Sequence, residues 1–80
     1  MYQLKVENID KKKPVYDMAG VSSLIVKCGL PKPVCVSFYV PDGNGDIPTD
    51  ISLFYHTKLS ATQEHKAITA IQKEVFNHRL

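Results

Sequence analysis

The chain has no tryptophan, only two cysteines and no long apolar run. Two cysteines, Cys28 and Cys35, are too few for the disulfide framework that holds small secreted domains together. No apolar stretch approaches the roughly 20 residues that a membrane-spanning helix needs, and the first residues lack the apolar core of a signal peptide. We therefore expect a soluble, cytoplasmic protein that does not enter a membrane and whose two cysteines are thiols packed as small hydrophobic groups.

An excess of charge of one sign is also missing. Ten Lys and Arg residues stand against eight Asp and Glu residues, which gives a net charge of +2. Strong non-specific binding to nucleic acid normally needs a denser basic surface. With 80 residues the chain makes one small domain, residues 1–80, with little room for an enclosed pocket. Because no paired carboxylates, phosphate-binding glycine loop or nucleophile elbow is visible, we predict neither an enzyme nor a cofactor.

The first half of the chain predicts a strand followed by a helix. Apolar and polar residues alternate from Tyr2 to Glu7, as in a half-buried strand. For the stretch from 15 to 30, a helix can begin at the preceding Pro14 or at Asp17 and end at Gly29, which precedes a leucine and a proline. The apolar stripe of this helix would comprise Met18, Val21, Ile25 and Cys28.

The second half predicts a hairpin and a final helix. Residues 34–40 and 51–56 alternate in polarity on either side of a loop, and the register that places the most apolar residues on one face is expected. Ser60 and Gln63 have the spacing of a capping box at a helix N-terminus. The apolar arc of that helix would comprise Ala61, Ile68, Ile71 and Val75. Phe76 lies at its margin, where it either extends an apolar edge or caps the core.

These elements predict a two-layer α+β domain of order β-α-β-β-α, with two helices on one face of a three-stranded, mainly antiparallel sheet. The alternative depends on residues 15–29, whose β-branched residues are also compatible with a strand. That alternative is a four-stranded sheet plus a C-terminal helix. In both cases one face of the sheet has no element of this chain to cover it.

The uncovered sheet face supplies the candidate binding residues. They are Ser37, Tyr39, Phe54 and His56. Aromatic residues are enriched in protein interfaces because they bury much area at little cost in side-chain entropy. We therefore predict a small protein–protein interaction domain, a regulator or an inhibitor, which docks its open sheet face or a sheet edge on another protein or on a second copy of itself.

A second function class is a weak single-stranded nucleic-acid-binding module. Bases could stack on Tyr39, with Lys5, Lys32 and Lys58 meeting phosphates. No segment matches the RNA-recognition octamer, since residues 34–40 hold neither a glycine nor a basic residue. Ionic strength distinguishes the two classes, because phosphate-driven binding weakens steeply with salt.

Two arrangements resemble metal sites without completing one. Residues 42–47 carry the oxygens and glycine of an EF-hand loop, but its first and last ligand positions then fall on Val40 and Ile51. Cys28, Cys35 and His56 are soft ligands, yet a Cys-x6-Cys spacing lies outside the usual zinc-finger spacing and a fourth ligand is not evident. We predict no metal site.

The element order and the closing helix, residues 61–76, loosely resemble the small DNA-damage-inducible DinI-like regulators. Members of that family have an acidic final helix and tail. Here Lys66, Lys73, His78 and Arg79 occupy that region, so the polyanion mimicry of the family does not carry over. The resemblance concerns layout, which is a poor guide to function.

Overall fold

The computed structural model describes residues 1–10, 13–15 and 17–77. Its elements are β1 (Tyr2–Glu7), α1 (Met18–Lys27), β2 (Cys35–Tyr39), β3 (Asp50–Tyr55), α2 (Ala61–Ala70) and a π-helical turn (Ile71–Val75), here called the π turn. This order confirms the predicted β-α-β-β-α fold and the helical character of residues 18–27. His78 and Arg79 lie outside the described residues.

The last strand along the chain lies in the middle of the sheet. β3 pairs antiparallel with β1 on one side and with β2 on the other, which gives the order β1-β3-β2. Val36 faces Leu53 and Phe38 faces Ile51, so the predicted hairpin register is confirmed. Ile51 and Leu53 are fully buried, because β3 has a strand on each side and helices over one face.

Local signals set both ends of α1. The Asp17 carboxylate accepts a hydrogen bond from the Gly20 N–H at 2.7 Å, as a helix N-cap does. At the other end the Leu30 N–H bonds the Ile25 carbonyl at 3.2 Å, and the Gly29 N–H bonds the Val26 carbonyl at 3.0 Å. This is the Schellman pattern, and it requires the left-handed backbone of Gly29, where φ is 82°.

We expect Gly29→Ala to lower the free energy of unfolding by about 1–2 kcal/mol, because a side chain at positive φ is strained. Sterics add little, since the nearest atom to an added Cβ would be the Lys66 Nζ, at 3.9 Å. Gly29→Asn should cost less, because asparagine tolerates this conformation better than alanine does. Urea denaturation of both variants measures the difference, and equal losses would contradict the backbone explanation.

The core-facing stripe of α1 differs from the prediction at its first residue. Val21 and Ile25 are fully buried, and Leu24 and Cys28 pack against the same core. Met18, by contrast, is 45% exposed, so its predicted place in the core is wrong. Met18 stands in the first turn of the helix and is not among the residues that line the groove between α1 and α2.

The final helix begins as predicted. The Ser60 Oγ accepts from the Gln63 N–H at 3.1 Å, and the Gln63 Oε1 accepts from the Ser60 N–H at 2.9 Å, which completes the capping box. Of the predicted apolar arc, Ile71 and Val75 are fully buried and Ile68 packs against the core. Ala61, in the first turn, is exposed, so its predicted place in the apolar arc is wrong.

The helix widens after Ala70. In the π turn the Phe76 N–H bonds the Ile71 carbonyl, five residues back, at 3.0 Å. One extra residue in a turn shifts the following side chains by about 100° around the helix axis. This shift carries Phe76 from the margin of the apolar arc into the core, where it is fully buried. Of the two predicted places for Phe76, the core position is therefore the one observed.

Polar contacts hold the π turn against the rest of the domain. The buried Gln72 donates from Nε2 to the carbonyl of Glu7, at the end of β1. The Val15 N–H, in the segment before α1, donates to the Val75 carbonyl at 2.8 Å. The last turn is therefore tied both to the sheet and to the start of the helical layer.

Candidate interaction surface

The open face of the sheet consists of three rows of side chains, one row for each set of paired residues. The rows are Gln3–Phe54–Cys35, Lys5–Ser52–Ser37 and Glu7–Asp50–Tyr39. Gln3 Nε2 donates to Ser52 Oγ at 2.8 Å, and Lys5 Nζ lies 3.5 Å from Asp50 Oδ2. The half of the face between β1 and β3 is thus occupied by polar groups that satisfy one another.

The structure places the predicted binding residues on one side of the sheet without clustering them. Tyr39 is 60% exposed, and Ser37 and Phe54 are half-buried. Tyr39 pairs with Asp50, whereas Phe54 pairs with Cys35. Four residues along a strand separate the two ends, which is about 14 Å at ~3.4 Å per residue. His56 is exposed and follows the end of β3, so it lies near Phe54 and far from Tyr39.

The β2 edge is the least protected part of the sheet. Among the described residues β2 has β3 on one side and no strand on the other. Residues 34–40 contain no charge, and Val34 and Val40, which flank β2, are 50% and 43% exposed. Natural sheets usually protect such an edge with lysine, proline or a bulge, because its unpaired backbone groups can bind another strand.

An apolar flank of α1 adjoins this edge. α1 packs over β2, and the π turn packs against β1. The residues of α1 that face α2 include Gly20, Leu24 and Lys27. Met18 and Val26 do not line the groove between α1 and α2, and Val26 instead lines a shallow hollow together with Lys27 and Lys32, the latter just before β2. Both are about half exposed, and residues 18–26 carry no charge.

We call this combined region the β2 edge surface. It comprises Met18, Val26, Val34, Tyr39 and Val40, which are five of the eight exposed large hydrophobic residues in the described part of the chain. Of these five residues, only Tyr39 is among the binding residues predicted from the sequence. Their signal was present in the uncharged runs at residues 18–26 and 34–40, but only the packing of α1 over β2 shows that the two runs are neighbours.

A groove of about 920 Å³ separates α1 from α2. Small residues on both helices leave this space: Gly20, Ser23, Thr62, Thr69 and Ala70. Its walls also carry three lysines, Lys27, Lys66 and Lys73, against one acid, Glu74. The groove is therefore cationic, and Lys27 and Lys32 also border Val26 of the β2 edge surface.

The lysines of the nucleic-acid alternative are dispersed. Lys5 is in contact with the Asp50 carboxylate. Lys32 and Lys58 lie just before β2 and just after β3, at the end of the sheet opposite Tyr39. The row neighbours of Tyr39 are Asp50 and Glu7, two carboxylates. The structure thus does not bring the predicted phosphate contacts and the predicted stacking residue together.

Of the residues considered as metal ligands, Cys35 and His56 both lie near Phe54, whereas Cys28 belongs to a different element. Cys28 is the C-cap of α1, whereas Cys35 is exposed on the open sheet face. Across residues 1–10, 13–15 and 17–77 there is no group of three or more Asp, Glu, His or Cys side chains positioned to hold a metal ion. In the loop between β2 and β3, Gly43 and Gly45 have positive φ and Asn44 Nδ2 donates to the Ile47 carbonyl at 2.6 Å, as in a tight turn.

Tyr55 is the described residue whose pKa departs clearly from its ordinary value. Burial of its ring raises the pKa of the Tyr55 hydroxyl, because the phenolate would lose its hydration. The hydroxyl donates to the Pro31 carbonyl at 2.9 Å. This bond ties β3 to the segment between α1 and β2, so we assign Tyr55 a structural role.

Comparison of the chain with protein-family models, curated proteins and solved structures finds no match. Among the described residues, no helix has the length and apolar character to cross a membrane.

Proposed function

We propose that this protein is a non-enzymatic interaction domain that docks the β2 edge surface onto another protein chain. The observation that carries the proposal is the exposed, uncharged edge strand. Such an edge offers backbone N–H and C=O groups to an added strand, and alternate side chains on each face supply selectivity.

The other edge of the sheet serves as an internal comparison. β1 presents Gln3, Lys5 and Glu7 on the open face, and the Lys5 side chain is well exposed. A lysine on an edge strand disfavours pairing with further strands. The β1 edge therefore carries a charged side chain that disfavours pairing, whereas the β2 edge carries none. This difference is the one expected if the β2 edge is used for pairing and the β1 edge is protected against it.

Such a domain would act on its partner by occupying a surface. The open face and the edge present a rigid sheet backed by a fully buried core, which lowers the entropic cost of docking. A regulator or inhibitor that covers a partner's own sheet edge needs no catalytic group. We place Tyr39 in the contact, with Ser37 beside it, and Phe54 and His56 at its far end.

The test is capture from host extract with tagged protein, read by mass spectrometry at moderate salt. The Val34→Lys/Tyr39→Lys variant places two charges on the β2 edge surface and should lose a stoichiometric partner at least tenfold. The matched control is Ile9→Lys/Val15→Lys, which adds the same charges at residues that are 57% and 66% exposed elsewhere. It should capture the partner as the unmodified protein does, and circular dichroism checks that both variants fold.

Half of each extract is treated with nuclease. A partner that survives nuclease and depends on the β2 edge supports the proposal. Equal capture by both lysine variants would overturn it. Loss of all bound material after nuclease would instead favour the single-stranded nucleic-acid alternative, and Lys5, Lys32 and Lys58 would be the next residues to change.

A further inference from the structure

We propose that the groove between α1 and α2 is a further binding site, and that its occupant is an acidic, amphipathic helix of a partner protein. The groove lies between the two helices and not at the β2 edge, so this inference goes beyond the proposed function and does not depend on it. The length, the floor and the charge of the groove each favour this occupant.

The groove is as long as a short helix. Gly20 and Lys27 both line it, and they stand about two turns apart on α1. On the other wall Thr62 and Lys73 line it, about three turns apart along α2 and the π turn. The walls therefore border an elongated space of about 920 Å³. An amphipathic helix that lays its apolar face along such a groove is a common mode of peptide recognition.

The floor of the groove is apolar and its borders are charged. Leu24, Cys28 and Ala70 line the groove and are half-buried. Lys27 and Lys66 also line it, but they are exposed and so stand at its borders. An occupant with a row of apolar side chains would remove this floor from water, which is favourable in proportion to the apolar area buried.

Two cations stand at the same end of the groove. The Lys66 Nζ lies 3.9 Å from the position that a Cβ added to Gly29 would take, so this ammonium group lies beside the C-terminal end of α1. Lys27 is the last residue of α1. The C-terminal end of a helix carries a partial negative charge of only about half a unit. Two ammonium groups therefore leave this end of the groove positive.

The lysines of the groove have no carboxylate partner in the part of the chain that the structure describes. The ion pairs there are Lys5–Asp50 and Lys13–Asp46, and neither involves a lysine of the groove. Glu74 is the one acidic side chain among the described residues that line it. Carboxylates of an occupant would supply the missing partners, so charge complementarity favours an acidic helix over a neutral or basic one.

An acidic helix also fits better than other anionic occupants. Lys66 and Lys73 are seven residues apart, which is about 10 Å along the helix axis at ~1.5 Å per residue, so one anionic head group cannot meet both. The bases of single-stranded nucleic acid stack on aromatic side chains. Among the described residues that line the groove there is neither phenylalanine nor tyrosine. The apolar floor instead matches the apolar face of a helix that carries separated carboxylates.

The experiment is an NMR titration of the isotope-labelled full chain with a synthetic peptide. The peptide carries leucine along one face, glutamate on both borders of that face and alanine elsewhere, and these residues all favour a helix. We expect saturable shifts of the backbone amide signals of groove residues, such as Gly20, Leu24 and Thr69. Two control peptides should bind at least tenfold more weakly: one with lysine in place of glutamate, and one of the same composition with leucine distributed around the helix.

Charge reversal in the protein locates the contact. Lys66→Glu and Lys73→Glu should each weaken binding of the acidic peptide at least fivefold. Lys13→Glu is the matched control, because it makes the same change at an exposed side chain that does not line the groove, and it should leave binding unchanged. The amide spectrum of each free variant shows whether it folds. Lys73→Glu is the variant distant from the end of α1, so it separates loss of binding from any loss of stability with Lys66→Glu.

The absence of a saturable shift with the acidic peptide would overturn the inference, as would equal binding of the glutamate and lysine peptides. Shifts centred on Tyr39 and the rest of the β2 edge surface would overturn it too. Tighter binding of a thymidine oligonucleotide in the same groove would replace the helix with nucleic acid as the occupant. None of these results bears on Val34→Lys/Tyr39→Lys, so the proposed function is tested separately.

Discussion

Phe76→Ala is expected to lower the free energy of unfolding by about 3–5 kcal/mol, the usual cost of removing a buried phenylalanine side chain. Phe76 is fully buried, and the π turn aims it at the core formed by β1, β3 and α1. A domain of this size is stabilised by only about 5–10 kcal/mol, so a large part of the stability would be lost. Urea denaturation at one fixed protein concentration measures the change.

Phe76→Leu is the matched variant for this experiment. Leucine keeps most of the apolar volume, so we expect the loss to be about 1–1.5 kcal/mol. A Phe76→Ala loss below about 1 kcal/mol would show that the phenyl ring does not fill the core, because exposed substitutions usually change stability by less than about 0.5 kcal/mol.

Ile25→Ala is the substitution with the second large expected effect, and it should lower the free energy of unfolding by about 2–5 kcal/mol. Ile25 is fully buried in the middle of the core-facing side of α1, and its carbonyl also accepts the Schellman bond from Leu30. The substitution leaves that backbone bond in place and removes only the side chain. The loss therefore reports how tightly α1 is anchored over β2.

Ile9→Ala removes the same atoms from a side chain that is 57% exposed, and it should change the stability by less than about 0.5 kcal/mol. If Ile25→Ala and Ile9→Ala had equal effects, α1 would not be held by this contact. The packing described for the helical layer would then be incorrect.

Local sequence patterns predicted the helices and strands well, because each of these patterns acts between residues that are close in sequence. The alternation in β1 and β2, the Ser60 capping box and the Gly29 stop all act within a few residues. The exposure of Met18 was not predictable in this way. It depends on which other elements reach the first turn of α1, and that is a tertiary property.

The π turn is the clearest case in which the period of a regular α-helix fails to predict the structure. A constant 100° per residue places Phe76 at the margin of the apolar arc, and no residue between Ile71 and Val75 signals the extra residue in the turn. With this extra residue in the turn, the phenyl ring is buried and Gln72 contacts the Glu7 carbonyl. Tertiary packing overrides the regular helix there.

The candidate site was predicted in part. Polarity along the strands indicated an open face that carries Tyr39 and Phe54, and the register places both on it. The separation of these two residues follows from their pairing with Asp50 and Cys35, which only the register fixes. The concentration of exposed apolar residues at the β2 edge required the strand order and the placement of α1.

The strand order also determines whether fragments of the chain can form a sheet on their own. Among the described residues, those up to 40 include both edge strands, which do not neighbour each other, and those from 41 to 77 include the central strand as their one strand. A single cut in the loop between β2 and β3 therefore leaves two pieces, neither of which contains a pair of adjacent strands. Each piece can complete its sheet only by binding the other.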